Sequence, residues 1–375
     1  MLFSEIAGLD EIKHDIIRTI KEDHMAHATI LVEQDGCGAL PLAIAIAQYM
    51  SCENRGEEDS CGHCRSCIKF NKLAHPDLHF SFPVNTTKSS DRKPVSEMFM
   101  EQWRELFGKD IYFTEQDFYN SIGIDNKSGN ISVNEAQNIM SALAYKSYES
   151  DYKFLIMWLP ERMNQEASNK LLKLVEEPPA GTIFLFVSQN PDKIISTILS
   201  RCRIIRIPPI DTPALTAEIR KRTSLNEEQA LEFANASFGS VTRFKELLAE
   251  DSSRSEYGIL FKRMIEACAT NRMSEMILIA EEVNNYKKEE LKRFLQYLAD
   301  KTRSIMMTRI GAGEIAYNVG GDKDTVDTAA KYCSDSFCSK ILPSISEATN
   351  LIERNVSSKL VLVDLYNRFF VYFRK

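Results

Sequence analysis

The sequence predicts an α/β fold followed by all-α domains, and three observations support this prediction. Helical and strand-like patterns alternate over about the first 210 residues, as in parallel sheets that are covered by helices. The apolar runs at 153–159 and 182–188 are nearly continuous, which is typical of strands buried on both faces. Residues 255–375, in contrast, contain only helical patterns. A chain of 375 residues has room for two or three domains, at about 150 residues per domain.

Strands and helices of the first part can be placed from their patterns. Short apolar or β-branched runs predict the strands, which are residues 28–33, 78–82, 153–159, 182–188 and 203–207. Apolar residues at helical spacing predict one helix that begins after Asp10 and a second that ends at about residue 50. Two more helices are predicted over about 165–175 and about 192–199. Ser132 and Glu135 have the spacing of a capping box and predict a helix over 132–146.

Two stretches are less uniform than the rest. Residues 84–130 are predicted to be an irregular insertion, because only 97–107 have helical periodicity and much of the remainder is polar. We expect a lineage insertion without chemistry, and a partner-binding element is the alternative. Residues 213–249, which follow Pro208-Pro209, are predicted to form two or three short helices.

Composition and charge exclude several classes of protein. With 44% hydrophobic and 26% charged residues, the chain is neither collagen, nor mucin, nor bulk disorder. The net charge of −7 excludes a wholly basic protein that coats nucleic acid. Residues 251–375 nevertheless hold 19 Lys or Arg and 17 Asp or Glu, which gives +2 and leaves −9 for residues 1–250. No apolar run is long enough to predict a transmembrane helix, and the first residues do not resemble a secretory signal, so we expect a cytoplasmic protein with no membrane contact.

Four of the nine cysteines lie close together in the sequence. Cys52, Cys61, Cys64 and Cys67 have the spacing C-x8-C-x2-C-x2-C, which predicts a tetrahedral zinc site of four thiolates. Four sulfurs complete the coordination shell, so the zinc would be structural and His63 would not be a ligand. The alternative is a set of four reduced thiols without metal.

A strand–turn–helix at 28–50 stands where a mononucleotide fold holds its phosphate, but its motif is damaged. The working motif is G-x-x-x-x-G-K-[ST], in which lysine reaches the β- and γ-phosphates and the hydroxyl binds magnesium. Here Glu33 replaces the first glycine, Gly36 and Gly38 remain, Ala39 replaces the lysine and Leu40 replaces the hydroxyl residue. Taken alone, the stretch could also be an ordinary turn between a strand and a helix.

A second acidic position is lost as well. Nucleotide-hydrolysing domains place acids at the end of an apolar strand, where they hold magnesium and orient water. Trp158 and Leu159 occupy those places here, and Glu33 and Asp35 would repel phosphate. The two losses predict a domain that keeps the architecture without the hydrolysis.

The stretch 162–207 carries a specific resemblance. It contains Asn169, Leu171-Leu172-Lys173, Glu176-Glu177-Pro178-Pro179 and Ile198-Leu199-Ser200-Arg201-Cys202. This pattern closely resembles the bacterial DNA polymerase III clamp-loader family, as do 5–12, 75–79 and the four-cysteine module. The resemblance covers about residues 1–250, and in the remainder only 352–368 resembles the family.

The resemblance implies three domains. They are an AAA+ α/β core over 1–208, with the zinc module at 50–70 and the insertion at 84–130, a helical lid over 209–250 and a helical collar over 251–375 that oligomerises. Within the family, an intact phosphate loop marks the gamma/tau ATPases and a damaged one marks delta prime. Ala39, Leu40, Trp158 and Leu159 therefore favour the delta prime branch.

Ser200-Arg201-Cys202 is the candidate catalytic motif. The resemblance implies that Arg201 projects toward the ATP of an adjacent subunit as an arginine finger, with Ser200 capping or orienting the turn. The alternative is a surface arginine with an i,i+4 partner, and Cys202 is expected to be packed and unreactive. Asn190 is expected to be structural. Thr242 stands where the family's second sensor segment has its arginine, with Arg243 one residue late.

The predicted function is that of a subunit that does not hydrolyse ATP, binds no ATP productively and supports loading of the sliding clamp on primed DNA. Its partners would be the gamma/tau and delta subunits, the clamp, and DNA through backbone contacts. An active gamma/tau-type ATPase and a zinc-bearing AAA+-like scaffold outside the loader are the two alternatives.

Overall fold

The computed structural model describes residues 1–86, 93–124, 128–250, 256–311 and 323–374. The chain divides into two compact units, Met1–Leu225 with Ser237–Arg243 and Asn226–Ala236 with Phe244–Lys375. The three predicted domains, with boundaries at 208 and 250, stay a prediction.

A parallel sheet forms the centre of the first unit. Within the described residues its strands are β1 Ala28–Val32, β2 Leu78–Ser81, β3 Lys153–Trp158, β4 Thr182–Ser188 and β5 Arg203–Arg206. Their order is β2-β3-β4-β1-β5, and all neighbouring pairs are parallel. Val32 pairs with Ser188 on one side and Arg206 on the other, so the carboxyl ends of three strands meet at one edge. The predicted fold class and the predicted strands are confirmed.

Helices cover both faces of this sheet. They are α1 Asp10–Lys21, α2 Ala39–Ser51, α3 Arg65–Asn71, α4 Met100–Lys109, α5 Glu115–Ile122, α6 Val133–Leu143, α7 Gln165–Glu176 and α8 Ser196–Leu199. The helix α9 Thr212–Arg222 follows β5 in the chain. Short 3-10 helices span Phe3–Glu5, Ser96–Phe99, Pro160–Arg162 and Pro191–Lys193. The helix predicted over 192–199 is thus a 3-10 turn followed by the single helical turn of α8.

Alternate residues of the central strands face two separate apolar layers. Leu155 and Met157 of β3 pack in a layer with α6 and α7, whereas Ile156 and Trp158 pack in a layer with α1 and α2. All residues of β3 and β4 are buried. Burial on both faces explains why their sequences lack polar alternation. β5 lies at the sheet edge and is mostly exposed.

The stretch 84–130, which is predicted to be irregular apart from a helical pattern over 97–107, contains more regular structure than expected, and its being an insertion stays a prediction. Apart from 87–92 and 125–127, which lie outside the described residues, it contains α4 and α5 and a packed aromatic cluster. Trp103 is fully buried and stacks on Phe82 with ring centroids 4.3 Å apart. It also contacts Phe118 at 5.3 Å and Trp158 at 5.4 Å. This stretch therefore builds part of the core beside β2 and β3.

The predicted capping box of α6 is only half formed. The Ser132 hydroxyl accepts the backbone N–H of Glu135 at 3.5 Å, as expected. The carboxylate of Glu135 instead accepts the backbone N–H of Ser96 at 2.8 Å. This buried bond ties the 3-10 helix before α4 to α6, and so anchors the insertion to the core.

The remaining helices are α10 Glu227–Ala236, α11 Val241–Glu250, α12 Glu256–Ala269, α13 Met273–Val283, α14 Lys288–Arg309, α15 Lys323–Tyr332, α16 Phe337–Glu353 and α17 Ser358–Arg374. The described residues after 255 contain no strand, as predicted. Tyr366, Phe369 and Phe373 are buried, and Phe337 contacts Phe369 at 4.9 Å, so the aromatic end of the chain is core packing. Among the described residues, no helix has both the length and the apolar character needed to cross a membrane.

Candidate functional site

The loop that is predicted to be a damaged phosphate site connects β1 to α2. It runs over residues 33–38, and α2 begins at Ala39. Gly36 and Gly38 have φ angles of 80° and 101°. Side chains with a Cβ rarely adopt this left-handed region, which explains why glycines stand at these two positions. The two glycines thus allow the chain to turn directly from β1 into α2.

The Glu33 carboxyl group fills the position at the N-terminus of α2. Its Oε2 accepts the backbone N–H of Ala39 at 2.9 Å, and the side chain is almost completely buried. Burial raises the pKa of Glu33 to about 8, because the cost of desolvation exceeds the favourable effect of N–H groups from Ala39, Gly38 and Cys37. Helix N-terminal N–H groups are the groups that bind phosphate in working loops. The sequence indicated the loss of a glycine here but not this occupation.

A distant segment, residues 239–242, packs on the loop. The backbone N–H of Val241 donates to the Gly36 carbonyl at 3.0 Å, and the Ser240 hydroxyl donates to the Asp35 carbonyl at 2.7 Å. A Cβ on Gly36 would lie 2.3 Å from Thr242 Oγ1. Thr242, which stands where the family's sensor arginine was expected, is therefore buried against the loop.

Buried apolar side chains stand at the end of β3, where nucleotide-hydrolysing domains have acids. Trp158 and Leu159 are 2% and 1% exposed. The nearby Glu161 accepts the backbone N–H groups of Gln189 and Asn190 at 2.9 and 3.0 Å. Glu161 therefore fixes the turn after β4. Sequence reasoning missed it, and its only signal was an acid shortly after a buried strand.

The predicted cysteine ligands come together. The sulfur atoms of Cys52, Cys61, Cys64 and Cys67 all lie within 4.8 Å of one another. Backbone N–H groups of Cys61, Cys64 and Cys67 donate to the sulfurs of Cys52, Cys61 and Cys64 at 3.3, 3.3 and 3.4 Å. Such donors stabilise thiolate charge. The four cysteines could hold a metal ion, while His63 lies exposed and its Nδ1 contacts the Cys61 carbonyl.

Short polar contacts attach this cysteine module to the rest of the unit. Asp59 accepts the backbone N–H groups of Phe3 and Ser4, both at 3.0 Å. The Tyr49 hydroxyl donates to the Gly56 carbonyl at 2.9 Å. The module is thereby fixed to the first residues of the chain and to α2.

Arg201 lies on the surface, between α8 and β5. Its guanidinium donates to Glu176 Oε1 at 3.0 Å and to the Thr197 carbonyl at 2.9 Å, and the side chain remains 34% exposed. The Ser200 hydroxyl donates to the same Thr197 carbonyl at 3.2 Å. The acidic partner is thus Glu176 of the E-E-P-P motif, 25 residues away. Burial raises the pKa of Cys202 to about 11, which disfavours a reactive thiolate.

The family model described as DNA polymerase III, delta subunit, matches residues 8–211. The DNA polymerase III subunit delta' of Haemophilus influenzae is 28% identical over 193 residues, which are 52% of this chain and 46% of that protein. Subunit delta' of Yersinia pestis is 26% identical over 298 residues, or 78% of this chain and 73% of that protein. Subunit gamma/tau of Mycobacterium tuberculosis is 23% identical over 232 residues, or 61% of this chain and 33% of that protein.

In the Haemophilus influenzae, Bacillus subtilis and Escherichia coli delta' proteins, the chain spans about half of the relative's length. The family model covers more than half of the 375 residues, and it includes the phosphate loop, the cysteine module and Arg201. The chain therefore belongs to the DNA polymerase III clamp-loader family.

Proposed function

We propose that this chain acts as a delta prime subunit of the clamp loader, which supports ATP-dependent loading of the sliding clamp on primed DNA without hydrolysing ATP itself. The observation that carries the proposal is the closed phosphate loop, in which Ala39 and Leu40 replace the nucleotide ligands and Glu33 fills the helix N-terminus. The buried Trp158 and Leu159 support it, since they leave no acid to bind magnesium at the end of β3.

In this proposal, Arg201 neutralises charge on the γ-phosphate of a neighbouring subunit's ATP. Its exposure and its place at a turn before the edge strand β5 support that role. The ion pair with Glu176 joins two partly exposed side chains, and such pairs contribute only about 0–1 kcal/mol. Arg201 can therefore exchange this partner for a phosphate at little cost. Ser200 would hold the turn through its bond to Thr197.

The four-cysteine cluster would hold a structural zinc ion. Four sulfurs within 4.8 Å of one another and three N–H donors to sulfur fit a tetrahedral thiolate site. When bound, zinc would cross-link the ends of this loop-rich module. A closed shell of four sulfurs leaves no position for a substrate, so the cysteines would stabilise the fold and take no part in the chemistry.

The proposed partners are the gamma/tau and delta subunits, the clamp, and primed DNA through its phosphates. Residues 1–208 would be the AAA+ core, 209–250 the lid and 251–375 the collar that joins the subunits. The cytoplasm is the expected location. The delta' and gamma/tau relatives support this proposal.

Reconstitution tests the proposal directly. The chain should co-purify with gamma/tau and delta, and on its own it should bind no Mg·ATP in a calorimetric titration. Absence from the purified complex would favour a scaffold outside the loader, and Mg·ATP binding would favour an ATPase subunit.

The arginine finger needs a separate variant. Arg201→Ala should leave the chain folded and assembled but lower the DNA-stimulated ATPase rate of the complex at least tenfold, since arginine fingers contribute about 10³–10⁵ in rate at their own site. Arg203→Ala is the matched control, because this arginine lies exposed two residues further on. Equal ATPase rates for the Arg201→Ala and wild-type complexes would refute the role of Arg201.

A further inference from the structure

Two different defects can prevent a phosphate loop of this kind from binding a nucleotide. Either it only lacks the lysine and the hydroxyl that hold a nucleotide, or its phosphate position is also occupied. The two cases differ in what restores binding: in the first, replacing Ala39 and Leu40 is sufficient, whereas in the second the occupant must also be removed.

We propose that Glu33 excludes nucleotide phosphate from this loop by filling the phosphate position with its own carboxyl group. The residue is thus a specificity determinant against a class of ligand, the phosphate groups of nucleotides. The inference rests on the proposed nucleotide-free role of the subunit but not on its membership of a loader complex.

The first observation is that the Glu33 carboxyl group lies where a phosphate would bind. Glu33 Oε2 lies 2.9 Å from the backbone nitrogen of Ala39, the first residue of α2. A phosphate oxygen at the helix N-terminus would need the same N–H at about the same distance. Two acceptor groups cannot occupy that position together, so phosphate can enter only if the Glu33 side chain leaves.

The second observation is that segment 239–242 packs on the loop and restricts its movement. Val241 and Ser240 bond to the carbonyls of Gly36 and Asp35, and the Cys37 thiol contacts the Gly239 carbonyl at 3.5 Å. Even a methyl group on Gly36 would overlap Thr242. The loop backbone therefore has little freedom to move outward and release Glu33.

The third observation is that a second acidic side chain, Asp35, lies on the same loop. Gln189 Nε2 donates to the Asp35 carboxylate at 3.1 Å. A phosphate that displaced Glu33 would leave two acidic side chains beside its own negative charge. A lysine placed at 39 would pair with Glu33 before it could serve a nucleotide, so Ala39→Lys alone should not restore binding.

Three multiple variants of the full-length chain test the proposal, with Mg·ADP as the probe in isothermal titration calorimetry. They are A39K/L40T, E33G/A39K/L40T and the near-isosteric control E33Q/A39K/L40T. The E33G/A39K/L40T variant should bind Mg·ADP at least tenfold more tightly than the other two, each shown by circular dichroism to be folded. Equal affinities, or no binding by the folded E33G/A39K/L40T variant, would overturn the proposal.

Lysine at a buried position could prevent folding, so single variants provide a second measurement. Glu33→Ala and Glu33→Gln are compared by hydrogen exchange at the first amides of α2, with and without inorganic pyrophosphate. The freed N–H groups at the N-terminus of α2 can bind phosphate weakly even without a lysine, so protection by pyrophosphate at high concentration is expected in Glu33→Ala only. The same response in both variants, or in neither, would overturn the proposal. Co-purification of the unchanged chain with gamma/tau and delta tests the proposed function separately, whatever the outcome here.

Discussion

Replacing Glu33 by glutamine is expected to make the stability of the protein less dependent on pH. Burial raises the pKa of Glu33 from 4.5 to about 8 in the folded protein, whereas in the unfolded chain the carboxyl group returns to its ordinary value. Between these values the folded state binds a proton that the unfolded state has released. The contribution of Glu33 to stability is therefore complete below about pH 4.5 and is lost as the pH rises toward 8.

The magnitude follows from the two pKa values. One pKa unit corresponds to about 1.4 kcal/mol, so a rise from 4.5 to about 8 predicts that the wild type loses roughly 2–3 kcal/mol relative to Glu33→Gln between pH 6 and pH 9. Well above pH 8, where the Glu33 carboxyl group is ionised in both states, the difference should become constant. Asp35, Cys37 and Tyr112 influence or face this carboxyl group, but they are present in both proteins.

Urea unfolding, followed by circular dichroism at half-unit steps from pH 6 to pH 9, measures this difference. Glu166→Gln is the matched control, because Glu166 is exposed in the first turn of α7 and its replacement should not change the pH profile. A wild-type minus Glu33→Gln difference that stays constant with pH, or grows in favour of the wild type as the pH rises, would refute the reasoning.

Three further predictions follow from packing and metal binding. Gly36→Ala should destabilise the protein by about 2–4 kcal/mol, because the φ of Gly36 is 80° and a Cβ there would overlap Thr242. Gly108→Ala should stabilise it by roughly 0.5–1 kcal/mol, because Gly108 is helical and a Cβ there would enter open space, and urea unfolding that gives both changes the same sign would contradict this. Trp103→Ala should lower the free energy of unfolding by about 3–5 kcal/mol, since it empties a fully buried site, and an unchanged thermal midpoint would count against it. Cys64→Ser should remove the bound zinc measured by plasma mass spectrometry, and full zinc occupancy in this variant would exclude Cys64 as a ligand.

The sheet could be predicted from sequence because its signals are local. β3 and β4 are continuous apolar runs, and burial on both faces is the physical cause of that pattern. The edge position of β5 could not be predicted in this way, because only Ile204 and Ile205 of its four residues are apolar and no local pattern specifies which strands are neighbours. Its exposure depends on its place at the sheet edge, which is a property of the strand order.

The regular structure within 84–130 could not be predicted from sequence, for a different reason. A polar stretch interrupts its pattern, and α5 has only eight residues, too few for a clear helical period. Its order comes from Trp103 and its aromatic neighbours, which lie on separate segments of the chain. Contacts of this kind leave no periodic signal.

Some features of the candidate site could likewise be predicted from local sequence, and others depend on distant contacts. Cys52, Cys61, Cys64 and Cys67 could be assigned from spacing alone, and the structure brings their sulfurs together. The replacement of the motif's lysine and hydroxyl residue by Ala39 and Leu40 is visible in the sequence itself. The occupation of the loop by Glu33 could not be predicted, because the direction of its side chain depends on an N–H group six residues later and on a segment about 200 residues away.

The aromatic cluster around Trp103 has a spectroscopic consequence. The chain has two tryptophans, Trp103 and Trp158, and their rings lie 5.4 Å apart within the first compact unit. Tryptophan fluorescence therefore reports on this cluster alone, and excitonic coupling of the two indoles should give a signal in circular dichroism that disappears when they separate. The second unit has tyrosines but no tryptophan. On one unlabelled sample, a loss of helical ellipticity without a change in emission would thus indicate unfolding of the helical unit alone, because unfolding of the sheet unit would change both signals.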